Sequence, residues 1–146
     1  MIFETIHKLK AQGKKIGFTN GCFDLPHPGH IYMVEVAKSL CDYLVVGILV
    51  DPTIERPDLK NKPIQSILER FIQVQGMGVD YVIPFESESE LETIIKMIEP
   101  DVRVVGDEYK GKRHTGWDLC PIHYVKRNNP YSSTEIRERI AKNKKQ

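Results

Sequence analysis

Apolar residues at positions 2, 3, 6 and 9 recur at helical spacing and stop at Gly13, which predicts a first helix over 2–12. A short apolar run predicts a strand over 16–19, and an amphipathic run predicts a helix over 30–40. Residues 43–50 are almost continuously apolar and β-branched, as in a strand covered on both faces. A polar stretch with two prolines over 51–62 reads as a loop. Apolar positions 67, 68, 71, 72 and 74 place a helix over 65–76, stopped near Gly76 and Gly78. A short strand over 81–83 is expected to end at Pro84. Leu91, Ile94, Ile95 and Ile98 share one face of a helix over 88–98. Strands over 102–105 and 123–125 and a closing helix over 132–141 complete the pattern, with a frayed tail over 143–146.

Strands and helices therefore alternate, which predicts an α/β fold: a Rossmann-like parallel sheet with helices on both faces, in a single domain over 1–146. A chain of 146 residues can bury roughly 70% of its unfolded surface, enough for one core. In such sheets ligands bind beyond the carboxyl ends of the strands. Those ends are 19–30, 51–62, 106–115 and 127–134, and all four are polar.

Charge changes this picture little. Lys plus Arg is 21 and Asp plus Glu is 20, a formal +1, which gives no general attraction to nucleic acid or membranes. No apolar run approaches a membrane span, and the first residues lack a signal-peptide pattern. Cys22, Cys41 and Cys120 are odd in number and unlike a disulfide scaffold, so reduced thiols in the cytoplasm are expected.

The chemistry concentrates in four segments. His27 and His30 flank Pro28 and Gly29 where the second helix begins, after the loop Thr19-Asn20-Gly21-Cys22-Phe23-Asp24. A helix N-terminus offers unpaired N–H groups and a positive dipole to phosphate, and two imidazoles can donate to phosphate oxygens as charge moves onto a leaving group. Zinc held by His27, His30, Cys120 and His123 is the competing reading of the same histidines. After the strand over 102–105, Asp107 can accept from ribose hydroxyls or a base amine, while Lys110, Lys112 and Arg113 can meet phosphate. Ser132 and Glu135 form a capping-box pattern, with Ser133 and Thr134 left to face a ligand. Asp51 ends a buried strand, where it contacts a ligand or caps the next turn. Cys22 reads as a packed thiol rather than a nucleophile.

Gly21-Cys22-Phe23-Asp24, His27-Pro28-Gly29-His30 and Ser132-Ser133-Thr134, in this order, resemble the cytidylyltransferase-like nucleotidyltransferases. The resemblance covers 16–140, and glycerol-3-phosphate cytidylyltransferase is its nearest branch. It implies Mg²⁺-dependent transfer of a nucleoside monophosphate to a small phosphorylated acceptor, with release of pyrophosphate, by a homodimer. His27 and His30 would stabilise the α-phosphate and the leaving charge, with Lys60, Lys62 and Arg70 as further catalytic cations. Thr19, Asn20, Gly21, Cys22, Phe23, Gly29, Asp107, Arg127, Ser132, Ser133 and Thr134 would bind the nucleotide, and Asp51 and Lys112 the acceptor. No residue is assigned to a protein-held metal. CTP with a polyol phosphate is the expected substrate pair. Asn20 and Cys22 also look like the heptose-phosphate adenylyltransferase branch, and the run from Arg127 to Ser132 lacks the glycine usual in the family. ATP with a sugar 1-phosphate is therefore the alternative, and a non-catalytic nucleotide-binding module is the reading from another class.

Overall fold

A computed structural model describes residues 1–126 and 131–143. Five parallel strands, β1 (Ile16–Gly21), β2 (Tyr43–Leu49), β3 (Tyr81–Phe85), β4 (Val102–Gly106) and β5 (Ile122–Val125), lie in the order β3-β2-β1-β4-β5. Strand order reverses between β1 and β4, which opens a crevice at their carboxyl ends. Among the described residues five α-helices connect and flank the strands: α1 (Ile2–Ala11), α2 (Pro28–Ser39), α3 (Ile67–Gln75), α4 (Glu88–Ile98) and α5 (Ser133–Lys142).

The alternation of side chains along β2 builds both cores. Leu44, Val46 and Ile48 face Val34 and Ala37 of α2 and Val74 of α3, while Val45 faces Ile6 of α1 and Leu91, Ile95 and Ile98 of α4. The sheet is thus a Rossmann-like layer covered on both faces. Gly47 permits close packing inside the sheet: a Cβ there would meet the rings of Phe18 and Phe85 at 3.2 Å.

Several boundaries differ from the sequence pattern. The strand expected to stop at Ile83 runs through Pro84 to Phe85, because β3 is an edge strand and an edge tolerates the missing N–H. β1 continues two residues beyond Thr19, so Asn20 and Gly21 are strand residues paired with Gly47 and Ile48. α2 starts at Pro28, with His27 as its cap. α3 starts two residues later than expected, behind a capping box of Ser66 and Glu69.

Aspartates fix the opposite end of the sheet. Asp42 accepts from the Lys15 N–H, Asp80 from the Leu44 N–H and Asp101 from the Ile16 N–H, at 2.7–2.8 Å. Each carboxylate ties the start of one strand to the start of its neighbour.

Candidate active site

The crevice holds a cavity of about 720 Å³. Asn20, Gly21, Cys22 and Phe23 line it from the end of β1 and the loop beyond. Gly29 and His30 line it from α2, Lys60 from the β2–α3 loop and Lys112 from the segment after β4. Its wall carries Arg56, Lys60, Arg103, Lys112, Arg113 and Lys126 against Glu55, Glu88 and Glu108. That excess of cations suits a polyanion such as a nucleoside triphosphate.

Each histidine of the pair caps α2. His27 Nδ1 accepts from the Gly29 N–H at 3.1 Å, and His30 Nδ1 accepts from the His27 N–H at 3.3 Å. The His30 and Ile31 N–H groups both donate to the His27 carbonyl. The open N–H groups expected at this helix end are thus engaged within the protein, which corrects the picture of a bare backbone seat for phosphate. A neutral imidazole that accepts at Nδ1 carries its proton on Nε2. The rings pack with centroids 3.9 Å apart and planes tilted by 33°, His30 on the cavity and the buried His27 beside it.

The loop between them and β1 is strained: Phe23 and Leu25 have φ of +54° and +48°. Long-range bonds hold that shape. The buried Asp24 carboxylate accepts from the N–H groups of Ile64 and Gln65 at 3.0 Å and from Arg137 of α5. The Leu25 N–H donates to Gln65 Oε1 at 2.8 Å, and the Ser133 hydroxyl donates to the Asp24 carbonyl. Asp24 therefore joins this loop, the β2–α3 loop and α5.

Arg70 is buried rather than on a surface face of α3. Its guanidinium donates to the carbonyls of Cys22 (3.0 Å), Leu49 (2.7 Å), Val50 (2.7 Å) and Gln65 (3.2 Å), pinning the ends of β1 and β2 from behind the cavity. Burial pushes the Cys22 thiol up from its ordinary value, against the opposing pull of Arg70. The Thr19 hydroxyl is buried and donates to the Val104 carbonyl at 2.8 Å. Asp51 accepts from the hydroxyl and N–H of Thr53, which hold its carboxyl below the usual range, and lies 4.0 Å from Lys62. Ser132 caps α5 by accepting from the Glu135 N–H, and Thr134 is exposed. Asp107 opens a short 3-10 helix, Asp107–Tyr109. Thr19, His27, Asp51, Lys62, Arg70, Asp107 and the three hydroxyl residues lie outside the cavity lining. Arg127 lies outside the described residues.

Among the described residues no group of three or more His, Cys, Asp or Glu side chains is placed to hold a metal ion. The zinc alternative is not supported. His27 and His30 cap α2, Cys120 packs in the α1/α4 core, and His123 is exposed on β5.

The sequence reading missed Arg103, a buried residue of β4 that lines the cavity. It donates to Asn20 Oδ1 at 2.9 Å and to the Thr115 carbonyl. Burial pushes its pKa down from the ordinary value. An arginine inside the otherwise apolar run Val102, Val104 and Val105 was the available signal.

A parallel sheet with this cavity at its switch point and paired imidazoles on its rim defines a Rossmann-like nucleotide-handling domain. The chain belongs to the cytidylyltransferase-like family, which it matches over residues 18–139, and that membership supports an enzyme of nucleotidyltransferase type. It is 40% identical, over 98% of its length, to the bifunctional protein HldE of Aliarcobacter butzleri, and covers 31% of that protein. It is 42% identical, over 75% of its length, to the bifunctional protein HldE of Wolinella succinogenes, and covers 23% of it. The chain thus spans about a quarter to a third of the curated relatives it matches. The lipopolysaccharide core biosynthesis protein of Thermoplasma volcanium shares the fold, with a TM-score of 0.57, 22% identity and coverage of 89% of this chain and 88% of that one. The similarity to HldE proteins overturns the expected nearest branch, glycerol-3-phosphate cytidylyltransferase, and with it CTP as the nucleotide.

Proposed function

We propose that this chain is an adenylyltransferase that moves AMP from ATP to a sugar 1-phosphate of the heptose 1-phosphate type, releasing pyrophosphate. The packed histidine pair, with His30 on a cation-lined cavity and His27 behind it, carries the reaction class. The branch is supported by the HldE relatives together with the resemblance of the loop around Asn20 and Cys22 to heptose-phosphate adenylyltransferases.

An oxygen of the acceptor phosphate attacks the α-phosphorus of ATP. A new P–O bond forms, the bond to the bridging oxygen of the β-phosphate breaks, and pyrophosphate departs with that electron pair. A phosphate monoester is already ionised near neutral pH, so the step needs positioning and charge stabilisation rather than a protein base. His30 donates from Nε2 to the reacting phosphate, and the packed ring of His27 completes the donor pair. Lys60, Lys62 and Lys112 neutralise phosphate charge. Asn20, Gly21, Cys22, Phe23 and Gly29 shape the phosphate seat. Arg70, Thr19 and Asp51 serve by holding loops, as do the Ser132 and Ser133 hydroxyls, while Thr134 remains open to the nucleotide. Magnesium would arrive with the triphosphate, since it binds chiefly through substrate oxygens and retained waters and needs no protein cage. When bound, it neutralises charge on the transferring phosphates.

Residues 1–146 act as one catalytic unit in this reading. The exposed apolar residues Ile64, Leu68 and Ile72 on and before α3 support pairing with a second copy, and three free cysteines support a cytoplasmic setting. Phosphorus NMR of ATP, Mg²⁺ and heptose 1-phosphate with the enzyme tests the reaction. The expected result is pyrophosphate plus a nucleoside diphosphate sugar. A mixture that retains only ATP and the monoester contradicts it. His30→Ala separates an enzyme from a binding module: turnover falls about 100-fold or more while ATP affinity changes far less. Equal losses in both would remove the transition-state role.

A further inference from the structure

Alternating side chains divide the cavity into two lobes. On β4, Val104 packs in the α2/α3 core, so Arg103 faces the opposite side of the sheet. Register agrees: Arg103 pairs with Phe18, which packs in the α1/α4 core. Asn20, two residues after Phe18, lies on that same side. His30 and Gly29 belong to α2, on the other side. The cavity therefore crosses the carboxyl edge of the sheet, from the histidines to a lobe lined by Phe85, Glu88, Leu91 and Arg103.

Arg103 is 3% exposed, and no carboxylate lies within 4.0 Å of it among the described residues. Its Nε is buried without a hydrogen-bond partner. Glu88, on the same lobe, acts on it only from beyond ion-pair distance, and a buried cation with an unfilled donor and no carboxylate in contact is matched by an anionic ligand. Guanidinium suits phosphate in particular, because its planar fork can donate two parallel bonds.

In-line displacement decides which phosphate. The attacking and leaving oxygens lie on opposite sides of the α-phosphorus. With the histidines at the leaving side, the acceptor enters from the α4 side. We infer that Arg103 is a substrate-binding residue that seats the acceptor's phosphate in the lobe between β4 and α4, held in aim by Asn20 Oδ1 and the Thr115 carbonyl. The inference rests on the nucleotidyl-transfer reading but not on which nucleotide is used. Bound there, the acceptor phosphate keeps a counter-charge as it approaches the like-charged α-phosphate.

The test is steady-state pyrophosphate release by wild type, Arg103→Gln and Arg103→Lys, with acceptor and nucleotide varied in turn. Arg103→Gln should raise the KM for the acceptor about tenfold or more, with the KM for nucleotide within about twofold. Arg103→Lys, which keeps the charge but not the fork, should fall between them and serves alone if the glutamine variant does not fold. A rise in nucleotide KM instead, or no change in either from a folded variant, overturns the inference. If wild type turns over with no nucleotide, the functional reading fails and Arg103 is tested separately, by the thermal stabilisation that inorganic phosphate gives without nucleotide. Loss of that stabilisation in Arg103→Gln supports the anion seat, and its retention overturns it.

Discussion

Arg70 shows how a side chain can serve a site without touching it. Four carbonyls from three segments accept from one guanidinium. Arg70→Met leaves them buried without donors, and the fold should lose about 3 kcal/mol in urea unfolding. Arg70→Lys should recover little, since one ammonium cannot span that fan. His114 makes a pH prediction. Its ring lies 3.1 Å from the Tyr124 hydroxyl, and desolvation, aided by Arg103, pushes its pKa below the ordinary value of 6.5. The unfolded chain therefore binds the proton more readily. Stability contributed here is intact above pH 6.5 and falls as pH drops from there through the lower folded value. Melting temperatures at pH 7.5 and 5.5 should differ less in His114→Gln than in wild type. The sequence offered Arg70 as a catalytic cation and did not single out Arg103; that one pins backbone and the other lines the cavity depends on which strand ends fold together.

Elements meet at Asp24. It ties the strained β1–α2 loop to the β2–α3 loop and, through Arg137 and Ser133, to α5. α5 buries no residue fully, so these polar contacts hold it more than a core does. Asp24→Ala should cost about 3 kcal/mol by leaving Arg137 and two N–H groups without their acceptor. Hydrogen exchange should quicken in α5 and residues 62–66 while β2 stays protected. Uniform quickening would show that the clamp is not local. Periodicity made the helices legible because each buries a stripe on the sheet; the α4 boundaries match outright. The Asp24 clamp was not legible, since its partners lie about 40 and 113 positions away. The cap of α5 could be read from Ser132 and Glu135, but His27 and His30 looked like pure ligand residues, because imidazole is an uncommon cap.

At the scale of the molecule, alternation of strand and helix predicts the parallel sheet, and the cavity lies at its carboxyl edge. Close packing sets its limits: Gly47→Ala would press a methyl against Phe18 and Phe85 and should cost about 1–3 kcal/mol. The family was legible in short motifs, because its histidines, glycines and hydroxyls stand at fixed spacing and in a fixed order. The nucleotide was not. The loops beyond the strands, such as the segment after β4, carry no period that could be read for a base or an acceptor, and the glycerol-3-phosphate expectation failed against the HldE relatives. Adenylyl transfer is tested most directly by pyrophosphate release with ATP, CTP, GTP and UTP, each paired with heptose 1-phosphate and glycerol 3-phosphate. Release with ATP and heptose 1-phosphate above every other pair is the predicted result; preferential release with CTP, or with glycerol 3-phosphate, would contradict it.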